Sequence, residues 1–321
     1  MEKSLRKDAN INSGLLLFFV LAAEIGIALI RPVLKSYFGE ANRDTATVFL
    51  NLANDILMYA VLLPIVIIAA RAFKQGIGNS LGKSFCKPQV GAGKIAKWIF
   101  MAFFVTYAGA FLLSQIFAAI TQSAGLELNQ ISIDSDGTST GNFIITLMTV
   151  IAAPIFEEIL FRGVFLRNLE KYGGLLAIIF SAVMFGLWHT NYPQIPFAII
   201  AGCCSGFIMV KTRSIIPSII FHCSVNFFGN INNLLVNDIS GDTPLKFVGI
   251  LSIFVVFCFI IVGFILLIVT LVKHRDDFKL ENNCKEISTS GKIKALWLAP
   301  VTVILIAVFI GFTIYNAIPR T

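Results

Sequence analysis

The sequence has few charged side chains: Asp, Glu, Lys and Arg make up 13% of its 321 residues, against 57% hydrophobic residues. This composition is typical of a polytopic membrane protein, because a bilayer requires repeated apolar runs of about 20 residues. The apolar runs are too closely linked to suggest separate soluble domains. We therefore predict an all-α fold, a polytopic transmembrane helical bundle.

Cysteine is also scarce, and its spacing excludes two classes of small domain. None of the cysteines forms the Cys-x-x-Cys spacing that is typical of metal sites, and most fall inside apolar runs. We interpret them as small apolar residues, and not as a disulfide framework or a zinc site. The six cysteines are Cys86, Cys203, Cys204, Cys223, Cys258 and Cys284.

Apolar runs bounded by charges or turn residues predict about eight or nine membrane spans, and the shortest of them, at 195–210, is the one whose full crossing stays open. No internal repeat is evident. We divide the chain into N-terminal spans (1–141), a motif-bearing core (142–236) and C-terminal spans (237–321). The predicted spans are 14–34, 47–70, 97–121, 142–166, 174–190, 195–210, 215–236, 247–272 and 295–318.

Lys and Arg alternate along these spans. They are frequent before the first span and after the second, fourth, sixth and eighth, and rare in the other gaps apart from Arg31, Lys35 and Arg43. The positive-inside rule then predicts a cytoplasmic N-terminus and an outer C-terminus. The net charge of +7 is thus attributed to loops beside anionic headgroups, and not to a nucleic-acid interface.

The N-terminal segment also has one feature of a signal peptide, a basic start before an apolar run. However, Glu24 interrupts that run, and no convincing small-x-small cleavage site follows before Arg31. A retained first span is therefore the favoured interpretation.

The stretch from Pro154 to Arg162 places two acids and a base inside a predicted span. On translocon scales, a lone Asp, Lys or Arg at the centre of a membrane helix raises the free energy of insertion by roughly 2.5–3.5 kcal/mol. Glu158 and Arg162 are four residues apart, acid before base, so they are predicted to form a supporting ion pair. Glu157 is rotated by about 100° from Glu158, with Phe161 four residues later, and therefore needs a partner from another helix. A purely structural helix–helix clamp is the alternative.

Two of the three histidines also lie inside spans. His222 and Asn226 are four residues apart and share a helix face, which suits the oxyanion of a peptide-bond intermediate. Glu157 with His189 suits a general base for water. Phe185, four residues before His189, either shapes a pocket or fills core or lipid-facing space. A lone intramembrane histidine is often only a helix–helix hydrogen bond, but two beside an unpartnered glutamate favour chemistry.

Taken in order, three motifs on successive helices resemble those of the CPBP family, also called the Abi family, which comprises type II CAAX prenyl proteases and bacteriocin-processing or immunity enzymes. The resemblance implies an all-helical intramembrane endopeptidase whose cavity opens towards the cytoplasm. It implies that Glu157 activates water with His189, and that His222 and Asn226 stabilise the tetrahedral intermediate. The motifs are Glu157-Glu158-x-x-x-Arg162, Phe185-x-x-x-His189 and His222-x-x-x-Asn226.

The cofactor question stays open at the level of sequence, because the family has been described both as metalloproteases and as glutamate-type proteases. Glu157, His189 and His222 with a water molecule would complete a zinc site. The chain has no His-Glu-x-x-His sequence, the helical arrangement common in zinc peptidases. We favour water activation without metal, with a divalent metal such as zinc as the alternative.

The expected partners are a peptide or membrane-tethered protein substrate and the lipid bilayer, with no nucleic acid; the oligomeric state is not indicated. Abundant Phe, Ile, Asn and Lys hint at a low-GC bacterium and its cell membrane. Nothing in the residues implies a prenylated CAAX substrate, and a bacteriocin leader is an equal candidate. The alternative functions are a non-catalytic immunity or scaffold protein and a proton relay or transporter, although the latter lacks a repeated half.

The depths of the candidate residues conflict with a common site. At about 1.5 Å per residue, Glu157 and His222 lie roughly 15 and 13 Å from the basic ends of their spans, and His189 roughly 25 Å from its own. Straight helices would hold the three groups at different depths. A tilted helix, or a span that starts beyond the membrane surface, would remove the conflict.

Overall fold

The computed structural model describes residues 1–39, 43–73, 82, 84–123, 144, 146–238, 244–281 and 284–318. Within these ranges the chain is overwhelmingly helical and has no strand, which confirms the predicted all-α class. Residues 124–141 of the loop predicted at 122–141 lie outside the described ranges.

The described helices follow one another with short connections, and two of them contain π-helical segments, in which hydrogen bonds run from residue i to i+5. In chain order they are α1 (Glu2–Phe38), α2 (Arg43–Asp55, the π-helical Ile56–Leu62 and Leu63–Ala72), α3 (Ala92–Ser123), α4 (the π-helical Met148–Ala152, Ala153–Glu158, the π-helical Ile159–Leu166 and Arg167–Leu169), α5 (Gly174–Trp188), α6 (Gln194–Thr212), α7 (Ile216–Asp238), α8 (Pro244–Lys273), α9 (Thr289–Trp297) and α10 (Pro300–Ala317).

Six of the described helices contain a segment long and apolar enough to cross a bilayer: Glu2–Phe38, Thr45–Ala72, Ala92–Ile116, Gln194–Thr212, Ile250–Lys273 and Pro300–Ala317. They support a polytopic integral membrane protein. The short run at 195–210 is among them, as α6. The sequence-based number of about eight or nine is larger because it also included α4, α5 and α7. Of these, α5 has only 15 residues, and α4 and α7 carry the charged and polar motif residues.

The basic segments that the sequence assigned to one side of the membrane meet at one end of the bundle, which we call the basic end. At the start of α3, Lys94 and Lys97 bind the two carboxylate oxygens of Asp277 at 2.7 and 2.6 Å. Beyond α6, Arg213 binds Glu170 at 2.6 Å and Glu281 at 3.0 Å. The connections after α2, α4, α6 and α8 therefore share one end, as the alternation of Lys and Arg predicted.

The N-terminal helix is tied to the same end. The Lys171 ammonium lies 2.6 Å from Asp8, and the Tyr172 hydroxyl donates to Asp8 at 2.9 Å. Arg6 donates to the backbone oxygen of Leu298, just before α10. The helices α1, α5 and α10 therefore all begin close to the basic end.

The opposite end of the bundle is marked by the connection between α5 and α6. There the Asn316 amide, near the end of α10, donates to the Thr190 hydroxyl at 3.2 Å. Thr190 itself has a positive φ of 46°, a left-handed conformation that turns the chain directly after His189. We call this region the far end of the bundle.

Candidate active site

The two motif glutamates end a short α-helical segment of α4, Ala153–Glu158, which lies between two π-helical segments. Such interruptions of an α-helix are frequent at functional sites. Glu157 is about one tenth exposed, whereas Glu158 is fully buried. Adjacent carboxylates therefore lie in different surroundings.

Glu158 joins three helices. One of its oxygens lies 3.4 Å from the Arg162 Nε and accepts a hydrogen bond from the Ser205 hydroxyl at 2.6 Å. Its other oxygen lies 3.0 Å from the His222 Nδ1. The predicted ion pair with Arg162 is present and buried, and the contacts to α6 and α7 come in addition.

Arg162 is held by more than its carboxylate partner. Its Nη2 donates to the backbone oxygen of Gly202 at 3.1 Å, and its guanidinium carbon lies 4.6 Å from the ring centroid of Phe185. A Cβ added at Gly202 would lie 3.2 Å from Nη2 and 3.1 Å from the Cα of Ala182. The glycine therefore permits the close approach of α6 to both α4 and α5.

His222 lies between the two glutamates. Its Nδ1 faces Glu158, while its Nε2 is 3.6 Å from a carboxylate oxygen of Glu157. The separation of 3.6 Å is too long for a direct hydrogen bond. Glu157 thus faces a group from another helix, as its position on α4 predicted.

His189 follows the last residue of α5. Its Nδ1 lies 2.9 Å from the backbone oxygen of Phe185. A carbonyl oxygen only accepts, so Nδ1 carries the proton of this bond, and Nε2 is left to accept from a group in the cavity.

Phe185 bridges the charged and the imidazole groups. Its ring centroid is 4.9 Å from that of His189 and 5.5 Å from that of His222, edge-on in both cases. The side chain is 2% exposed, which rules out the lipid-facing alternative. Phe185 therefore shapes the site from within the core.

Asn226 is one turn beyond His222 on α7. Its Nδ2 donates to the backbone oxygen of Thr149, in the first π-helical segment of α4, at 2.9 Å. One amide hydrogen is used in this bond, and the second remains available.

These groups share one cavity of about 320 Å³, lined among others by Glu157, Phe185, His189, His222 and Asn226. All five candidates for the cavity are thus brought together from α4, α7 and the end of α5. The depth conflict noted in the sequence does not keep these groups apart, because Glu157, His189 and His222 all line this cavity.

A metal site does not form from these residues. Among the described residues, no group of three His, Cys, Asp or Glu side chains is arranged to hold a metal ion. The predicted ligand set of Glu157, His189 and His222 is not such a group. We derive no step through a metal.

Several lining residues were missed by sequence analysis. Asp55 and Tyr59 reach the cavity from α2, and the Tyr59 ring stacks on Phe156 with centroids 4.8 Å apart. Ser205 holds Glu158 from α6. Only Asp55, an acid inside a predicted span, carried a signal in the sequence.

Comparison with protein families bears on the part of the chain that holds the site. No curated protein and no solved structure is significantly similar to the chain. One family model does match, that of the type II CAAX prenyl endopeptidase Rce1-like proteins, over residues 139–228. This segment contains all three motifs. The match supports an endopeptidase activity within the membrane, and residues 139–228 are thereby identified as an Rce1-like segment, which confirms the resemblance indicated by the motifs.

Proposed function

We propose that this protein is an intramembrane endopeptidase that hydrolyses a peptide bond in the cavity between α4, α5 and α7. The observation that carries the proposal is the convergence of the motif side chains on a single cavity of about 320 Å³: the carboxylate of Glu157, the imidazoles of His189 and His222 and the amide of Asn226. A helix–helix clamp would need only the buried Glu158 and Arg162. It offers no reason for Glu157 to face open space.

In the proposed reaction, Glu157 takes a proton from a water molecule that attacks the scissile carbonyl carbon. His189 positions this water, because its Nε2 accepts a hydrogen bond when Nδ1 donates to the Phe185 backbone oxygen. The proton held by Glu157 then passes to the leaving amine. The peptide C–N bond breaks, and the products are a carboxylate and an amine.

The negative charge on the carbonyl oxygen requires donors on the other side of the substrate. The His222 Nε2, when it carries a proton, and the second amide hydrogen of Asn226 are these donors in the proposed reaction. The bond from His222 Nδ1 to Glu158 fixes the orientation of the ring. Glu158, Arg162 and Ser205 are therefore positioning residues, and they do not touch the substrate.

The decisive experiment compares wild-type protein with Glu157→Gln in detergent or liposomes, using a proteome-derived peptide library and mass spectrometry of the products. The variant keeps the shape of the side chain but cannot accept the proton. We expect cleavage to fall by about 100- to 10,000-fold, the range for loss of a general base, with an unchanged melting temperature.

Glu24→Gln is the matched control, because Glu24 is an exposed intramembrane glutamate on α1. It should keep full activity. If Glu157→Gln cleaves as fast as the wild type, Glu157 has no part in the reaction. The non-catalytic immunity or scaffold alternative predicts that result together with retained biological function.

A further inference from the structure

The cavity extends from the middle of the bundle, where Glu157 and His222 lie, away from the basic end. Helix α5 begins there, where the Gly174 amide donates to the backbone oxygen of Glu281. Its 15 residues span about 22 Å at 1.5 Å per residue. His189, directly after its last residue, is therefore near the far end, where Thr190 contacts Asn316.

Helix α2 gives the same result independently. It ends near the basic end with Arg71, and Asp55 lies about 24 Å before Arg71 along the helix. A second cavity, of about 170 Å³, shares Asp55, Met148 and Thr149 with the main one. It continues along α2 past Asn51 to Val48, which is away from Arg71. The two cavities thus adjoin at these three residues, and together they extend from Glu157 towards the far end. We call this pair of adjoining cavities the path.

The positive-inside rule assigns the two ends of the bundle to the two sides of the membrane. The segments that meet at the basic end are those with most of the Lys and Arg, which places that end in the cytoplasm. The path from the cavity therefore leads to the opposite side of the membrane. This is the reverse of the cytoplasmic opening implied by the family resemblance.

The charges along the path indicate what it binds. Two carboxylates, Asp55 and Glu157, line the main cavity, and its described lining includes neither Lys nor Arg. Glu157 faces His222. Among the described residues, no hydrogen bond or ion pair compensates Asp55. A positively charged group is favoured next to Asp55, whereas a free carboxylate would be repelled.

We propose that the cavity takes its substrate from the non-cytoplasmic side of the membrane, and that Asp55 binds a positively charged group of that substrate beside the scissile bond. A Lys or Arg side chain and a free amino terminus supply the same chemistry. The side of entry rests on the fold and on the distribution of Lys and Arg, whereas the role of Asp55 rests on the proposed function.

The side of entry is tested by labelling Asn51→Cys with a membrane-impermeant maleimide in spheroplasts. The native Cys86 is exposed in the basic segment between α2 and α3, so it reports the cytoplasmic side in the wild type. Asn51→Cys is made together with Cys86→Ser. We expect Asn51→Cys to be labelled in intact spheroplasts, and wild-type Cys86 only after permeabilisation.

Three results would overturn this part of the proposal. One is labelling of Asn51→Cys only after permeabilisation, and another is no labelling of it under either condition, because the path is then closed to water. The third is labelling of Cys86 in intact spheroplasts. None of these results depends on whether the protein cleaves peptides.

The role of Asp55 is tested by binding, so that no turnover is needed. The experiment measures how tightly three fluorescent peptides, which differ only by Lys, Ala or Glu at one position, bind to the Glu157→Gln protein. In this variant Asp55 is the remaining acid of the described cavity lining. We expect the Lys peptide to bind about tenfold more tightly than the Glu peptide. Adding Asp55→Asn should abolish that difference, and adding Asp55→Glu instead should restore part of it.

Asp276→Asn is the control, because this exposed acid at the basic end is far from the cavity. It should leave the preference intact. Equal binding of the Lys and Glu peptides to Glu157→Gln, or a preference that survives Asp55→Asn, refutes the role of Asp55. Failure of wild-type protein to cleave any library peptide would instead count against the proposed function, and the two failures are thereby separated.

Discussion

At the scale of single residues, the two adjacent glutamates have separate roles because successive positions of a helix point in different directions. Glu158 points into the protein, where Arg162, Ser205 and His222 satisfy it. Glu157 points into the cavity and contacts only the edge of this network, through His222. The first is a structural group and the second is available for reaction.

Arg162→Ala is expected to destabilise the protein strongly. Removal of the guanidinium leaves the Glu158 carboxylate buried with less compensation, and breaking a buried pair in this way costs about 3–5 kcal/mol. The melting temperature in detergent should fall well below that of the wild type. Arg275→Ala, at an exposed arginine of the basic end, should melt like the wild type, and an equally stable Arg162→Ala protein would contradict the prediction.

At the scale of elements, the site depends on how closely α4, α5 and α6 approach one another. Gly202 is the contact point, because the backbone of α5 and the Arg162 guanidinium both lie where a side chain would begin. Distances of 3.1–3.2 Å leave no space for a methyl group without movement of the neighbours.

Gly202→Ala is expected to lower both stability and peptide cleavage, since the new methyl group displaces Arg162 from the Gly202 carbonyl. Overpacking of this kind typically lowers the free energy of unfolding by about 1–3 kcal/mol. Gly311→Ala is the matched control, because a Cβ at Gly311 in α10 meets nothing within 4 Å. Thermal melting and the library assay measure both variants, and equal behaviour of the two would show that the close approach is unimportant.

Element by element, the sequence predicted what depends on local spacing. The pair Glu158–Arg162 and the shared face of His222 and Asn226 follow from helical periodicity, and the apolar run at 195–210 is α6. It did not predict the π-helical segments of α4, nor that Ser205 joins Glu158, because contacts between helices far apart in sequence leave no local pattern. The apparent conflict between the depths of Glu157, His189 and His222 arose for the same reason, because the tilt of each helix is set by tertiary packing and leaves no pattern in the sequence.

At the scale of the whole molecule, basic side chains and their ion pairs gather at one end, and the cavity that contains Glu157 extends towards the other. Lys94 and Lys97 hold Asp277 against the start of α3, which ties the segment after α8 to the bundle. The alternation of Lys and Arg in the sequence was sufficient to predict this common end. The path from the cavity to the far end was not predictable, because it is formed by side chains of α2 and α4 that no motif connects.

The tether at Asp277 gives a pH-dependent prediction. Hydrogen bonds from Lys94 and Lys97 lower the pKa of Asp277 from 3.8 to about 2. The stability that the tether contributes is therefore present above the ordinary pKa and is lost as the pH falls towards 2. Asp277→Asn should lower the melting temperature equally at pH 5 and pH 8, and the difference from wild type should shrink below about pH 4.

Asp276→Asn is the comparison, because Asp276 is largely exposed and its ion pair is with the equally exposed Lys279. Exposed ion pairs contribute little, so this variant should follow the wild type at every pH. A difference between Asp277→Asn and wild type that grows on acidification would have the wrong sign for a lowered pKa.

The position of Glu158 at the junction of three helices has a consequence for genetics. Under the proposed function, a screen that scores only lost phenotype will recover substitutions at 158 as readily as at 157, although the first set lowers the amount of folded protein and the second leaves an intact but inert protein. Immunoblotting of each recovered allele separates the two sets. Only inert alleles that accumulate normally are suitable as traps for the natural substrate.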